Sequence, residues 1–272
     1  MRFTLSLATT IVSAAMLATL AGCDGALAEP SRDQSDKPTV VLVHGAFADS
    51  SSWNGVVERL QREGYPVLGV ANPLRGLHQD AHYVSSVLDD VSGPVVLVGH
   101  SYGGSVISEA AVGHPDVKAL VYVASFILEP GESTNDLVGK FPGGQLGPTL
   151  HGVPVAGPGG GEDTDLYVDQ DEFRKVFAAD VPPEIADLMA ATQRPVTKSA
   201  LSEPATGAAW HDLPSWNMVT TDDLAIPAES MRFMGQRAKS TTVEIAASHA
   251  VTVSRPGAVA DLIGQAARAT ES

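Results

Sequence analysis

Pro94-Val95-Val96-Leu97-Val98-Gly99-His100-Ser101-Tyr102-Gly103-Gly104 joins a short apolar, β-branched run to a Gly-x-Ser-x-Gly pattern. The run at 94–98 predicts a buried strand, and residues 102–112 read as the helix that follows it. In a strand–turn–helix setting this pattern is a nucleophile elbow. Its glycines let the chain turn sharply and push the serine hydroxyl out above the sheet. With 26 glycines in 272 residues, chance supplies on the order of 0.2 such matches per chain of this composition. The setting therefore carries the reading, and Ser101 becomes the candidate nucleophile.

Outward from this point the same alternation repeats. Apolar strands are predicted at Thr39–Val43, 66–70, Val117–Val123, Ser215–Thr220 and Thr241–Ile245. Between them, Trp53, Val56, Val57 and Leu60 share one helical face, as do Val84, Val87, Leu88 and Val91, and later Val259, Leu262, Ile263 and Ala266. Strands alternating with amphipathic helices define an α/β class, with a mostly parallel central sheet covered by helices on both faces. The alternation lapses after the strand at Val117–Val123, leaving a cap insertion at about 127–213. An insertion of this length is usually functional. It is read as a flexible Gly157-Pro158-Gly159-Gly160-Gly161 loop, a solvated acidic run at 162–171 and a short helix with Ile185, Leu188 and Met189 on one face.

Composition sets the outer limits. A hydrophobic share of 44% over 272 residues suits one globular domain, placed at 38–272. The net charge of -15 repels phosphate backbones and anionic surfaces, so no nucleic-acid partner is expected. At the start, Arg2 precedes an apolar run from Phe3 to Leu20, the pattern of a secretory signal peptide over 1–22. It ends in Leu20-Ala21-Gly22-Cys23, which looks like a bacterial lipobox, and Cys23 is the only cysteine of the chain. The expectation is an exported protein lipidated at Cys23, or a secreted one. Residues 23–37 would form a flexible linker, and the lipid would be its only membrane contact.

A serine hydroxyl is a poor nucleophile near neutral pH and needs a histidine base supported by a carboxylate. In this setting the order is Ser, Asp, His. Among eight histidines, only His249 lies in a short loop directly after a late strand. His44 and His100 fall in motif loops, His78 and His82 on the polar side of a helix, and His114 in a Gly-His-Pro turn. His151 and His211 belong to the cap or its exit, where they could touch substrate. Asp222 and Asp223 follow the strand Ser215–Thr220, and one of the two is the expected carboxylate. Backbone donors for the substrate oxyanion are expected from Tyr102, at a helix N-terminus, and from the loop His44-Gly45-Ala46-Phe47. Phe47 and the Tyr102 side chain are candidate pocket walls. The chain contains no HExxH, no CxxC and no phosphate-binding loop, so no metal or other cofactor is expected.

Val43-His44-Gly45-Ala46, Val98 to Gly104, Thr221-Asp222-Asp223 with Ile226-Pro227, and Ser248-His249 together resemble one family over about 39–266. It is the small α/β-hydrolases that include salicylate-methylesterase-type esterases, hydroxynitrile lyases and bacterial esterases. The resemblance implies an α/β-hydrolase fold, Asp223 as the catalytic aspartate and Ala46 as the second oxyanion donor. Hydroxynitrile lyases of this group carry a lysine after the catalytic histidine and a threonine in place of the glycine in the His-Gly pair. Here those positions are Ala250 and Gly45.

The expected activity is hydrolysis of small to medium apolar carboxylic esters through an acyl-enzyme on Ser101, with His249 and Asp223. C–C bond hydrolysis, amidase or perhydrolase chemistry could run on the same triad, since pocket geometry sets the leaving group. A non-catalytic ligand-binding protein of this fold is the alternative from another class.

Overall fold

The computed structural model describes residues 37–157 and 160–270. The expected signal peptide, Cys23 and all but the last residue of the linker lie outside the described residues. Six strands form the main sheet: β1 (Thr39–Val43), β2 (Val67–Val70), β3 (Val95–His100), β4 (Val117–Val123), β8 (Ser215–Thr220) and β9 (Thr241–Ile245). Their order is β2-β1-β3-β4-β8-β9, and every pairing is parallel. Strands β3 and β8 are buried along their whole length, as a parallel sheet covered on both faces requires. Each fully buried aliphatic side chain contributes roughly 1.5–3 kcal/mol. The edge strands β2 and β9 keep residues in water.

Helices α1 (Asn54–Arg62), α2 (Leu77–Asp90), α3 (Tyr102–Ala110), α8 (Ala228–Arg237) and α10 (Pro256–Thr270) connect or follow these strands, and α1 packs on α10 while α2 packs on α3. Val56 and Leu60 of α1 are buried, as are Val259, Leu262, Ile263 and Ala266 of α10, matching the apolar spacing in the sequence. Strand order reverses between β1 and β3. This is the switch point at which parallel sheets open a crevice beyond the carboxyl ends of their strands, and the His44–Phe47 loop and Ser101 both leave the sheet there.

The cap between β4 and β8 differs from expectation. It contains helices α4 (Thr134–Val138), α5 (Gln170–Phe177), α6 (Pro183–Thr192) and α7 (Lys198–Ser202), and strands β5 (Leu150–Ala156), β6 (Glu162–Val168) and β7 (Val196–Thr197). The three strands form an antiparallel sheet in the order β5-β6-β7. At the end of the β5–β6 hairpin the Gly157 N–H donates to the Gly161 carbonyl at 2.7 Å. The acidic run is largely strand, and Asp165 within it is buried because Arg75 reaches it at 2.6 Å. Helix α6 turns Ala186 and Ala190 inward with Met189 packed partly against the core, and leaves Ile185 and Leu188 exposed, so two of the three larger apolar residues do not face the core. No described helix is long and apolar enough to cross a membrane.

Candidate active site

Ser101 stands between the end of β3 and the start of α3 with φ 55° and ψ -125°, a backbone region that non-glycine residues rarely enter. Its carbonyl accepts from Ser125 Oγ at 2.6 Å and from the Gly104 N–H at 3.0 Å, and its N–H donates to the Val123 carbonyl at 3.2 Å. These bonds hold the strained turn. The glycines are steric necessities: a Cβ on Gly103 would lie 2.5 Å from the Val43 carbonyl oxygen, and one on Gly45 would lie 2.6 Å from Ser101 Cβ. The loop after β1 therefore runs in contact with Ser101.

His249 lies in the loop between β9 and α9 (Val251–Ser254). Its Nε2 is 2.8 Å from Ser101 Oγ and its Nδ1 is 2.8 Å from Asp223 Oδ2. With Asp223 accepting, Nδ1 carries the proton and Nε2 is free to accept from the serine hydroxyl. All three side chains are buried. Asp223 also accepts from Thr220 Oγ1 and from the N–H groups of Ala225 and Ile226, each at 2.8 Å. Four donors thus fix its orientation and satisfy its negative charge out of water. Asp222 is exposed, and its N–H donates to the Ala247 carbonyl at 3.2 Å. Of the pair left open by the strand pattern, Asp223 is the one that meets His249.

Neither the Ala46 nor the Tyr102 N–H has a backbone acceptor among the described residues. Tyr102 is the first residue of α3, where helix geometry provides no carbonyl partner and the helix dipole favours negative charge. Phe47, at φ 59°, anchors the facing loop by donating its N–H to the Arg194 carbonyl of the cap at 2.9 Å. The Tyr102 ring is buried, and its hydroxyl donates to Asp80 Oδ2 at 2.8 Å. It thereby ties the start of α3 to α2.

Burial sets the charge states around Ser101. Desolvation pushes His100 down to about 3 and His44 down to about 4, so both rings are neutral at physiological pH. His100 donates its Nε2 proton to the His249 backbone carbonyl at 2.9 Å, and the two rings lie 4.8 Å apart. Asp80 is pushed up to about 6 by burial, against hydrogen bonds from the Arg75 N–H and the Tyr102 hydroxyl. The Tyr102 phenol is held well above its ordinary range by burial and by Asp80.

A cavity of 120 Å³ opens onto Ser101 and is lined by Ala46, Phe47, Phe126, Leu146 and Ile226 among others. Tyr102 borders it as well, with Thr134 and Asn135 supplying polar atoms from α4. His151 and His211 are not among the residues that line it: His151 pairs with Asp169 and His211 with Glu129. Phe177 was not singled out as a site residue, yet its ring meets that of His249 edge-on at 4.8 Å, and its carbonyl accepts from the Ala250 N–H at 2.9 Å. Ser248 Oγ donates to Asp180 Oδ1 at 2.5 Å. The cap thus clamps the histidine loop on both sides of His249. Among the described residues no group of three or more His, Cys, Asp or Glu side chains is arranged to hold a metal ion.

The structure brings together Ser101, His249, Asp223, Ala46, Tyr102 and Phe47 from four separate segments that follow strands of the main sheet. Comparison with known proteins defines the class: residues 40–262 match the model of the alpha/beta hydrolase family, and the chain belongs to that family. The chain is 30% identical over 251 residues to a pyrethroid hydrolase of Sphingobium wenxiniae, covering 85% of this chain and 88% of that one. It is 29% identical over 255 residues to an alpha/beta hydrolase of Aspergillus novofumigatus, covering 85% and 97%. Among solved structures, polyneuridine aldehyde esterase superposes with a TM-score of 0.74 at 17% identity, covering 84% of this chain and 98% of that chain. This last likeness supports the fold.

Proposed function

We propose that the protein is a serine hydrolase that cleaves carboxylic esters of small to medium apolar acids and alcohols through an acyl-enzyme on Ser101. The observation that carries the reading is the buried relay in which His249 meets Ser101 Oγ and Asp223 Oδ2 at 2.8 Å each. His249 takes the hydroxyl proton as Oγ attacks the ester carbonyl. The C–O bond to the alcohol breaks, and the imidazolium returns that proton to the departing oxygen. Water then gives one proton to His249 and its hydroxide to the acyl carbon, releasing the acid and restoring the serine. Asp223 stabilises the imidazolium, and the Ala46 and Tyr102 amides hold the oxyanion, each worth about 3 kcal/mol of barrier in studied cases.

Hydrolysis fits better than lyase chemistry. Gly45 has no room for a larger residue beside Ser101, and Ala250 offers no amine next to His249. A relative named carbendazim hydrolyzing esterase, from Nocardioides, is 34% identical over 115 residues and 37% of this chain, which supports an ester as the scissile group. The cavity lining is mainly apolar, which favours an apolar acyl group.

The test is a panel of esters, amides and β-diketones matched in shape, run on wild type and Ser101→Ala together with a serine-reactive phosphonate. Ester turnover should dominate and fall by at least ~10³-fold in the variant, with the phosphonate on Ser101. Undiminished turnover in Ser101→Ala, or faster cleavage of the amides or diketones, would defeat the proposal.

A further inference from the structure

The stretch that leaves β2 and enters α2 makes one side-chain hydrogen bond to each of the two segments that carry the oxyanion amides. Asn72 Nδ2 donates to the His44 carbonyl at 2.9 Å, just before Gly45 and Ala46. Asp80 Oδ2 accepts at 2.8 Å from the hydroxyl of Tyr102, whose own N–H is the other amide. Both side chains are fully buried, and burial works against each. Asn72 Oδ1 has no hydrogen-bond partner among the described residues, and desolvation pushes the Asp80 carboxyl up to about 6. Polar groups held out of water, one of them half unmet, destabilise a fold, so what these two contribute lies in the bonds they make.

The backbone between them is tightly held. Leu74 is fully buried at φ 62°, a region that non-glycine residues enter only where the surroundings hold them. Its carbonyl accepts from the Thr197 N–H at 3.1 Å, and the Arg75 N–H donates to Asp80 Oδ1 at 3.0 Å. Asn72 and Asp80 are thus two points on one fixed frame. On the first side, the His44 ring donates from Nδ1 to the Gly45 carbonyl at 2.9 Å, and that carbonyl shares a peptide plane with the Ala46 N–H. Turning His44 therefore turns the Ala46 amide. Asn72 grips the carbonyl of this same His44, and a Cβ on Gly103 would lie 3.0 Å from that oxygen, so the loop is caught between Asn72 and α3. On the second side, the Tyr102 side chain is the arm by which Asp80 holds the first turn of α3. Oxyanion donors act only when they stand about 3 Å from the developing charge, so the distance between the two amides has to be fixed. We infer that Asn72 and Asp80 are positioning residues that set the spacing of the Ala46 and Tyr102 amides around the oxyanion. The inference rests on the ester-hydrolase reading.

A trifluoromethyl ketone shaped like a cleaved ester reads the oxyanion directly. Ser101 Oγ adds to its carbonyl carbon, His249 takes the hydroxyl proton, and the carbonyl oxygen becomes the anion between the two amides. Tyr102→Phe removes the hydroxyl but keeps the ring and its packing, and Asn72→Ala removes the donor to His44. Each should lower kcat by about 10- to 30-fold and weaken the ketone by the same factor, with KM within about twofold of wild type. Asp80→Ala should do the same, Asp80→Asn, which can still bond the phenol, should recover much of the loss, and Asp80→Ala added to Tyr102→Phe should lower kcat no further. Tyr122→Phe removes another buried phenol bonded to α3, at Ser108 Oγ 2.9 Å away; it should lower Tm yet leave kcat and ketone affinity at their wild-type values. If Asn72→Ala and Tyr102→Phe behaved like Tyr122→Phe, the positioning role would be refuted with the ester reading intact. A loss of kcat with ketone affinity unchanged would refute it equally, since the oxyanion would then be unaffected. If wild type cleaved no ester and left the ketone unbound, or Ser101→Ala cleaved esters equally, both readings would fall.

Discussion

The crest of the sheet and the cap above it are held together by different physics. At the crest, Ser101, Asp223 and His249 each leave a parallel strand through a turn of a few residues: the Ala225 and Ile226 amides fix Asp223 locally, and Ser125 and His100, both from segments that follow strands of the same sheet, hold Ser101 and the His249 carbonyl. In the cap, position is set by contacts between segments far apart in sequence, such as Arg75 with Asp165 and Asp180 with Ser248. A crest built this way holds Ser101 and Asp223 without help from the cap, which reaches the reacting atoms only through its clamp on the His249 loop. Elsewhere, a cap built from distant contacts can change its lining without disturbing the chemistry below. Substitutions at the crest should accordingly reduce kcat, and substitutions in the cap should act on KM.

The largest effect expected from this contrast is at the carboxylate pair. Asp223→Asn should lower kcat by about 10⁴-fold, because an amide facing Nδ1 favours the wrong imidazole tautomer and does not stabilise the imidazolium. Asp222→Asn, at an exposed neighbour, should stay within about twofold of wild type. Steady-state kinetics on one ester measures both. Equal losses in the two variants would dissolve the distinction between a locally fixed carboxylate and its neighbour.

His100 sharpens the comparison because it is a crest residue with a purely positional role. Replacing it with Phe removes the donor to the His249 carbonyl and should reduce kcat by about 10- to 100-fold, with KM little altered; His100→Gln, which can still donate, should recover much of the loss. The same site has a titration signature. His44 and His100 are neutral when folded, with values near 4 and 3 against an ordinary 6.5. Their contribution is fully present above pH 6.5 and is lost as pH falls through the folded values. Asp80 works the other way: raised to about 6, it contributes most below its ordinary value of 3.8 and loses that contribution as pH rises through 6. Between pH 4 and 6, unfolding takes up two protons on the histidines and releases one from Asp80. Stability should therefore rise by about 1.4 kcal/mol per pH unit from these groups. In His100→Gln that slope should flatten towards zero, as read by denaturant unfolding across the window. A variant that lost activity but kept the wild-type slope would show His100 to be charged in the folded protein.

The same contrast explains what could be read from the sequence. The strands, the elbow at Gly99 to Gly103 and the Asp-Asp-x-x-Ile-Pro turn are encoded by residues within ten positions of one another, so periodicity and turn chemistry reach them. The cap is not encoded that way. Its acidic run forms a strand because Arg75, 90 residues earlier, neutralises Asp165, and α6 presents Leu188 to water because Ala186 and Ala190 take the inward positions. His100 could be placed in a motif loop, but its partner is a backbone carbonyl 149 residues away. Nor could Phe177 be recognised against His249, since its spacing in α5 is that of any core aromatic.

The smallest expected effect lies at the tie between cap and sheet. Arg75 donates to Asp165 Oδ1 at 2.6 Å, to the Pro195 carbonyl at 2.8 Å and to the Pro73 carbonyl at 3.2 Å, and the Thr197 N–H donates to the Leu74 carbonyl at 3.1 Å. These bonds hold the segment whose Arg194 carbonyl anchors Phe47. In Asp165→Ala the guanidinium keeps two carbonyl acceptors and is about one-third exposed, with 34% of its side chain in water, so the loss should be close to that of a surface pair, about 1 kcal/mol. For a domain of this size that is about 2–4 °C in Tm. Because Phe47 lines the cavity that opens onto Ser101, loosening its anchor should raise KM for long-chain esters by about two- to threefold while kcat holds. A fall in kcat with KM unchanged would mean that this tie reaches the reacting atoms through the clamp of the cap on the His249 loop rather than through the lining of the cavity.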